Sequence, residues 1–346
     1  MAGTDNMERF RMPSLNAAYH GRRVMITGGL GFIGSNLART LVDLGSDVLL
    51  VDSLIPGHGG SLFNIAGLES RLRVNIADIR QQSSMDCLVR DREIIFNLAG
   101  QVSHIDSMRD PQTDLEINCQ AQLTLLEACR RHNPGVKIVY AGTRQVYGRA
   151  VALPVNEEHL VRPTDINGVN KAAGEHYHLV YNNVFNVRAC SLRLTNVYGP
   201  RQLVKHNRQG FIGWFIRLVV EDGEIQVYGD GSQVRDLVYV DDAVDAFLAA
   251  GASDAVNGDV FNVGGAEPIS HRDLVQMLIE IAGSGRMRLV DWPAEKKAID
   301  IGSFYSDSSR FRAITGWTPR VRLREGLRRS VDFYRQHLPH YLDRES

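Results

Sequence analysis

Short apolar runs alternate with segments of helical apolar spacing along the first two thirds of this chain. The runs predict strands near 24–26, 48–51, 72–75, 94–100, 136–140 and 190–194, and the strand over 94–100 is expected to be buried. Apolar residues three and four apart predict intervening helices, the longest over 113–132 and 169–184. Strands separated by helices pair in parallel through right-handed crossovers. The pattern therefore predicts an α/β protein with a doubly wound parallel (Rossmann) sheet.

The pattern becomes less regular after residue 196. Helical spacing returns near 210–221, 241–250, 271–282 and 322–336, with short apolar runs between these segments. We interpret this part as a smaller C-terminal α/β lobe, interleaved with the last strands of the sheet. The sequence thus divides into an extension over 1–20, expected to be frayed, a sheet domain over 21–196 and the lobe over 197–346.

A glycine-rich turn joins the first predicted strand to the first predicted helix. Gly28, Gly31 and Gly34 leave the backbone free to approach a pyrophosphate, and the helix N-terminus offers N–H donors and a positive dipole. The G-x-x-G-x-x-G spacing alone is also typical of a plain tight turn. The dinucleotide-binding interpretation is supported by Asp52, the acidic residue that ends the second apolar run. A carboxylate about 20 residues past the glycines binds an adenosine ribose diol and repels a 2′-phosphate. Together they predict a dinucleotide site that prefers NAD to NADP.

Composition and charge exclude several classes of function. The 346 residues are 44% hydrophobic and 23% charged, with a formal net charge of −1, so no basic excess points to nucleic acid. No apolar run approaches the ~20 residues of a membrane span. The four cysteines (Cys87, Cys119, Cys129 and Cys190) lack the paired spacing of a metal site, and residues 1–20 lack the apolar core of a secretory signal. We expect a cytoplasmic protein without nucleic acid, membrane or metal partners.

Motifs spread over residues 22–340 resemble those of the extended short-chain dehydrogenase/reductase family. The resemblance is to its NAD-dependent nucleotide-sugar epimerases and dehydratases, of the UDP-glucose 4-epimerase type. The motifs are TGGLGFIGSNL at 27–37, NLAGQVS at 97–103, VYG at 146–148, RLTNVYGPRQ at 193–202, YGDGSQVRDLVYVDDAVDA at 228–246, FNVGG at 261–265 and GWTP at 316–319. Their number and order make a chance match very improbable.

The resemblance implies NAD as cofactor and a nucleotide-diphosphate sugar, with a UDP-sugar favoured, as substrate of the C-terminal lobe. It also implies a homodimer in which 113–132 and 169–184 form a four-helix bundle with their copies in the partner chain. The cofactor-binding residues it implies are Gly28, Gly31, Phe32, Ile33, Gly34, Asp52, Asp78, Ile79, Leu98, Ala99, Gly100 and Lys171. The substrate-binding residues it implies are Gln101, Ser103, His104, Arg144, Asn196, Tyr228, Arg235, Lys296 and Lys297.

The catalytic residues implied by the resemblance include one departure from the family. Thr143 matches the residue that hydrogen-bonds the sugar hydroxyl being oxidised, and Lys171 matches the lysine that binds the nicotinamide ribose. Four residues before that lysine the family has a tyrosine that removes the hydroxyl proton, and here stands Asn167. An amide does not titrate and so is no general base.

Three interpretations of this departure stay open. Another group takes the proton, Thr143 acts with a water, or the protein binds nucleotide sugar without turning it over. The candidates for another group, by their proximity in sequence, are Tyr147, Tyr177, His104, His176 and Asp165.

A second departure bears on the reaction. The 4,6-dehydratases of the family place Asp-Glu after the threonine as acid and base, and this chain has Arg144 and Gln145 there. Neither side chain is a carboxyl group, which disfavours dehydration by that route, and Arg144 suits a negative substrate group such as a uronate. We therefore expect an NDP-hexose epimerase acting by transient C4 oxidation, an isomerase rather than a lyase. The alternatives are a decarboxylase or dehydratase, or a catalytically impaired binding protein.

Overall fold

The computed structural model describes residues 13–208 and 210–342, which are built around one parallel sheet. Its strands follow the order β11-β6-β5-β4-β1-β2-β3, and every neighbouring pair is parallel. The strands of the described chain are β1 (Arg23–Thr27), β2 (Asp47–Asp52), β3 (Arg73–Ile76), β4 (Ile94–Asn97), β5 (Lys137–Thr143), β6 (Arg188–Leu194), β7 (Asn196–Tyr198), β8 (Glu224–Tyr228), β9 (Val234–Arg235), β10 (Leu237–Tyr239), β11 (Val260–Val263), β12 (Ile269–Ser270) and β13 (Arg286–Val290). This order is that of a doubly wound dinucleotide-binding sheet, which confirms the predicted fold class.

Helices cover both faces of the sheet and build the C-terminal lobe. They are α1 (Pro13–Tyr19), α2 (Phe32–Asp43), α3 (Gln82–Leu88), α4 (His104–Arg109), α5 (Pro111–Leu115), α6 (Ala121–His132), α7 (Ile166–Phe185), α8 (Phe211–Val220), α9 (Val240–Ala252), α10 (His271–Ala282), α11 (Ala294–Ala298), α12 (Ser309–Thr315) and α13 (Leu323–Leu342). A π-helical turn, Glu116–Gln120, links α5 to α6. The helices predicted from apolar spacing are therefore confirmed, with shifted ends.

The central strands are apolar because both of their faces are covered. Ile26 and Leu50 pack on one face with α2 and α9, whereas Met25 and Ile138 pack on the other face with α3 and α6. A strand buried on both sides needs a continuous apolar run, which is the pattern the sequence shows. Leu98, which the sequence analysis placed within the fourth strand, lies just beyond its end and begins a loop.

The chain before the first strand differs from the frayed extension that we expected. Residues 1–12 lie outside the described residues, but 13–19 form α1, which packs against α9. Tyr19 is fully buried and its hydroxyl donates to the Leu248 carbonyl oxygen at 2.7 Å. Burial of a large aromatic ring contributes roughly 1.5–3 kcal/mol, which is enough to order so short a helix on the core.

The C-terminal lobe has its own apolar core, between α8, α10 and α13. It returns one strand to the main sheet, because β11 pairs with the outer edge of β6. Three two-stranded sheets complete the described lobe, pairing β10 with β7, β12 with β9 and β13 with β8. In the described part of the chain, no helix is both long and apolar enough to cross a membrane.

Candidate active site

A cavity of about 420 Å³ opens where the strands of the main sheet end. Its wall is formed by the residues that follow β1, β2, β3, β4, β5 and β6, together with the first turns of α7 and α8. Ligands of doubly wound sheets bind at this carboxyl edge. The predicted site residues that line it are Gly28, Gly31, Phe32, Ile33, Gly34, Asp52, Asp78, Ile79, Leu98, Ala99, Gly100, Gln101, His104, Thr143, Arg144, Asn167, Lys171 and Asn196.

The glycine turn is shaped for close approach by a ligand. Gly28 has φ +66°, and a Cβ atom there would meet the Ala99 backbone at 3.0 Å. A Cβ on Gly34 would collide with the Gly28 carbonyl oxygen, so both positions require glycine. No side chain caps the N-terminus of α2, which leaves its first N–H groups and positive dipole for a phosphate. The turn therefore fits the pyrophosphate of a dinucleotide.

Asp52 closes the other end of this part of the cavity. Its Oδ2 accepts from the Leu30 N–H at 3.0 Å and its Oδ1 from the Leu54 N–H at 2.9 Å. Burial raises the pKa of Asp52, and the two backbone hydrogen bonds partly oppose that rise. Each carboxylate oxygen keeps a lone pair, so Asp52 can also accept the two hydroxyls of an adenosine ribose.

We expect Asp52→Asn to narrow the preference for NAD over NADP by about tenfold, equivalent to ~1.4 kcal/mol. The neutral amide keeps the shape of the side chain but no longer repels a 2′-phosphate. Asp47→Asn is the matched control, because Asp47 begins the same strand and pairs with Arg73 at 2.8 Å, away from the cavity. Titration of the apoprotein with both cofactors measures the effect, and tighter binding of NADP by the unmodified protein would contradict the role of Asp52.

Thr143 and Lys171 lie at the opposite end of the cavity from Asp52. Thr143 ends β5, and its Oγ1 accepts from the Gln145 N–H at 3.2 Å, which leaves the hydroxyl proton free for a ligand. Lys171 Nζ donates to the Ala141 carbonyl oxygen at 2.6 Å and lies 4.4 Å from the centre of the Tyr140 ring. Burial lowers the pKa of Lys171 to about 8, although Asp114 and Glu175 act in the opposite direction.

Asn167 occupies the wall between these groups and the loop after β4. Its Nδ2 donates to the Gln101 carbonyl oxygen at 2.8 Å and to Asp114 Oδ2 at 3.0 Å. Both partners only accept, so the orientation of the amide is fixed. Asn170 donates to the other oxygen of the fully buried Asp114 at 2.8 Å. Asn167 therefore lines the cavity with its amide nitrogen bound to the protein and its Oδ1 left as a hydrogen-bond acceptor for a ligand.

Several of the groups considered as a replacement base lie elsewhere. Tyr147 is fully buried, donating to Asn262 Oδ1 and accepting from Arg193 Nη1, each at 2.8 Å. Burial raises the pKa of Tyr147 to about 12. His176 and Tyr177 lie on α7 away from the cavity lining.

Asp165 caps α7 and accepts from the Gly168 N–H at 2.7 Å, without lining the cavity. His104 does line the cavity. Of the five proposed candidates, His104 is the one that reaches the cavity wall.

Arg144 and Gln145, the residues in the dehydratase acid–base positions, have different surroundings. Arg144 lines the cavity and its Nη2 donates to Asn196 Oδ1 at 3.0 Å. Burial, then the nearby Arg235, lowers the pKa of Arg144 to about 9. Gln145 is buried, and its amide donates to Asp165 Oδ2 at 2.6 Å, so it supports a carboxylate instead of serving as one.

The remaining residues predicted to bind substrate lie outside the described cavity lining. Ser103 is buried and caps α4 by accepting from the Asp106 N–H at 3.1 Å. Arg235 is buried and donates to the Gly302 carbonyl oxygen at 2.5 Å, with Asp300 at 3.6 Å. The hydroxyl of Tyr228 accepts from Lys296 Nζ at 2.8 Å, and Lys297 is exposed. Their contact with substrate stays a prediction.

Sequence reasoning missed Asp114 and Asn170, which hold Asn167 in place. Asp114 lies in α5, in a segment whose apolar spacing drew attention only to its core-facing residues. A fully buried carboxylate needs donors, and the second asparagine of the N-x-x-N-K segment supplies one. An acidic residue within an apolar helical pattern was the available signal.

The sheet order, the glycine turn, the acidic strand end and the Thr143–Lys171 pair together define a dinucleotide-binding protein of the extended short-chain dehydrogenase/reductase type. The model of the NAD dependent epimerase/dehydratase family matches residues 24–264, about seven tenths of the chain. The chain belongs to this family and uses NAD, for which the glycine turn and Asp52 form a suitable site.

Named relatives include proteins with more than one activity. A UDP-glucose 4-epimerase from Mycolicibacterium smegmatis is 34% identical over 318 residues, covering 90% of this chain and 98% of the relative. A dTDP-glucose 4,6-dehydratase from Streptomyces griseus is 30% identical over 319 residues, covering 91% and 94%. The crystal structure of a Thermotoga maritima UDP-glucose 4-epimerase with UDP-glucose has a TM-score of 0.82 at 30% identity, covering 91% and 99%.

Proposed function

We propose that this protein is an NAD-dependent epimerase that acts on a nucleotide-diphosphate hexose by transient oxidation at C4. A UDP-hexose is the favoured substrate. The observation that carries the proposal is that Thr143 and Lys171 line the same cavity as the glycine turn and Asp52. The similarity to UDP-glucose 4-epimerases over nine tenths of the chain supports the choice of reaction.

Each residue at the reacting end has a distinct task in this proposal. Bound NAD supplies the acceptor for the hydride that leaves C4. The Thr143 hydroxyl donates to the C4 oxygen, and the Asn167 amide oxygen accepts from another sugar hydroxyl and orients the ring. Lys171 presents a positive charge that stabilises negative charge developing on the sugar oxygen. Return of the hydride to the opposite face of the planar carbon then inverts the centre.

Dehydration finds little support in this cavity, although a relative is a dehydratase. Removal of water across C5 and C6 needs an acid for the leaving hydroxyl and a base for the C5 proton. Arg144 remains protonated at neutral pH, and the Gln145 amide is committed to Asp165. The described chain therefore lacks carboxyl groups at the two positions that this route uses in the family.

Arg144 favours an acidic sugar as a second candidate substrate. It is a largely buried cation on the cavity wall, with another cation, Arg235, nearby. A uronate carboxylate beside the guanidinium would accept paired hydrogen bonds and offset the cost of burying the charge. Parallel assays with UDP-galactose and UDP-glucuronate decide between a neutral and an acidic sugar, since the favoured substrate has the larger kcat/KM.

We expect the purified protein to carry NAD and to interconvert C4 epimers without added cofactor. The hydride returns to the sugar, so the cofactor ends each cycle as it began. Chromatography of the nucleotide sugars, with absorbance at 340 nm, measures product and reduced cofactor together. Stoichiometric release of NADH would instead indicate a net dehydrogenase. Binding of UDP-galactose and UDP-glucuronate without product or NADH would support the binding-protein alternative.

We expect a homodimer in which α6 and α7 form a four-helix bundle with their copies in the partner chain, and α7 shows the exposed apolar face that this needs. Val169, Val180 and Val184 are 50%, 49% and 63% exposed and recur at helical spacing, so they form an apolar stripe on the surface. Val180→Glu with Val184→Glu should shift the mass measured by light scattering from twice 38.6 kDa to that of a single chain. Val151→Glu is the control, at an 84% exposed loop position. A single-chain mass for the unmodified protein would contradict the dimer.

A further inference from the structure

His104 has a setting that none of the other candidate bases shares. It follows the loop after β4, lines the cavity and begins α4. Its Nδ1 is buried without a hydrogen bond and lies 3.2 Å from Asp165 Oδ2, the carboxylate oxygen that faces it. About a third of the side chain is exposed, so Nε2 is the nitrogen on the open side of the ring.

Asp165 is held firmly as the partner of this ring. It is the N-cap of α7, the helix that also carries Asn167 and Lys171. Its side chain is fully buried, accepting from the Gly168 N–H at 2.7 Å and from the Gln145 amide at 2.6 Å. Burial raises the pKa of Asp165, but the His104 ring and these two donors together bring it below its usual value. A fixed carboxylate beside Nδ1 favours the tautomer in which Nε2 is free to accept a proton.

The other titratable groups on the described cavity wall are badly placed for this task. Asp52, Asp78 and His58 lie next to the ends of β2 and β3, in the part of the cavity proposed to hold the adenosine ribose. Arg144 keeps its proton at neutral pH. Lys171 is protonated at neutral pH and donates to the Ala141 carbonyl oxygen at 2.6 Å, so it has no lone pair with which to take a proton.

We infer that His104 and Asp165 form an acid–base dyad that replaces the missing tyrosine in the proposed epimerase. His104 is the catalytic residue and Asp165 positions it. The inference rests on the proposed function, since it assigns the group that takes the proton in that reaction.

With the dyad, every atom and electron of the oxidation step has a destination. The O–H bond of the C4 hydroxyl breaks and its proton goes to His104 Nε2. The C4–H bond breaks as hydride leaves for the nicotinamide, and the carbon–oxygen bond becomes a carbonyl. Sugar is oxidised by two electrons and NAD is reduced by two. On return, the imidazolium gives its proton back to the oxygen and Asp165 remains ionised throughout.

The charges around the ring are distributed so that one carboxylate faces it directly. On α4 itself, Asp106 pairs with Arg208 at 3.3 Å and Arg109 with Glu295 at 3.5 Å. On the neighbouring α5, Asp114 is bound by Asn167 and Asn170. The charged groups on α4, α5 and α7, with the residues that cap these helices, are Asp106, Arg109, Asp110, Asp114, Asp165, Lys171 and Glu175, and Glu175 is paired with Arg193. Asp165 is thus the carboxylate left to orient the imidazole.

The test uses the NAD-loaded full chain with UDP-galactose and UDP-glucuronate as probes. We expect His104→Ala to lower turnover of the better probe by about 10²–10³-fold, as for loss of a general base. Added imidazole should raise the turnover of His104→Ala at least tenfold, because it can enter the space left by the side chain. His132→Ala is the matched control, since His132 lies 3.4 Å from Asp86 outside the cavity and is 28% exposed.

A second measurement determines which nitrogen of His104 carries the proton and does not depend on turnover. ¹H–¹⁵N spectra of the histidine-labelled holoprotein should show the His104 ring protonated at Nδ1, with the signal assigned by its loss in His104→Ala. Asp165→Asn should abolish that preference and also lower turnover.

The possible results separate the dyad from the proposed function. Unchanged turnover in His104→Ala, a loss that imidazole does not rescue, or a ring protonated at Nε2 would each overturn the dyad and leave the epimerase intact. A wild-type protein that binds both probes and never reduces NAD would overturn the proposed function, and the dyad with it.

Discussion

Lys171→Met is expected to lower the rate of sugar oxidation by about 10²–10³-fold, the loss typical of a removed charge-stabilising group. The ammonium lies at the reacting end of the cavity, 4.4 Å from the Tyr140 ring centre, with no other cation than Arg144 on that part of the described wall. Methionine keeps most of the apolar stem and loses the charge. Because the nucleotide part of the sugar substrate is expected to bind in the C-terminal lobe, away from Lys171, kcat should fall much more than the KM for that substrate rises.

A second buried lysine provides the control for this experiment. Lys137 begins β5, and its Nζ donates to the Ser253 carbonyl oxygen at 2.8 Å outside the cavity. Lys137→Met should cost about 1–3 kcal/mol of stability by leaving acceptors unpaired, yet keep turnover close to wild type. Rapid-mixing absorbance at 340 nm and thermal melts measure the two quantities. Unchanged oxidation in Lys171→Met would show that a different chemistry operates here.

Asn167→Tyr is expected to make turnover independent of His104. A phenol at this position, beside the Lys171 ammonium, gives the site an ionisable group, since a nearby positive charge favours the phenolate. In the double variant with His104→Ala, the rate should recover to within about tenfold of wild type. The substitution loses the bonds to Gln101 and Asp114, at about 1–3 kcal/mol of stability, while Asn170 still holds Asp114.

Asn167→Phe separates the phenol from its bulk. The ring has nearly the same size but carries no hydroxyl, so the double variant with His104→Ala should stay as slow as His104→Ala alone. Equal rates for the tyrosine and phenylalanine double variants would show that a restored proton relay is not the cause. Circular dichroism melts confirm that each variant is folded at the assay temperature.

The sheet could be predicted from the sequence because its signals are local. Each strand buried on both faces leaves a continuous apolar run, Gly28 directly follows the first strand and Asp52 ends the second. The ordering of α1 could not be predicted, because it depends on a contact between Tyr19 and Leu248, 229 positions apart. Short helices acquire such stability from packing and not from their own residues.

The site could be predicted in part for the same reason. Short sequence motifs identify Thr143 and Lys171, and both residues line the cavity. The contact between His104 and Asp165 and the hydrogen bond between Asn167 and Asp114 arise only in the folded chain, so residue spacing does not predict them. The sequence named His104 and Asp165 as separate candidates and gave no reason to join them.

The late position of β11 along the chain has a consequence for synthesis on the ribosome. β6 ends at residue 194, and the strand that covers its outer edge begins only at residue 260. At about 5–20 residues per second, the nascent sheet therefore waits roughly 3–13 s with a bare edge. An unpaired edge strand is a template for wrong partners. Ribosome-bound chains halted near residue 230 should consequently recruit chaperones more strongly than chains halted after residue 300.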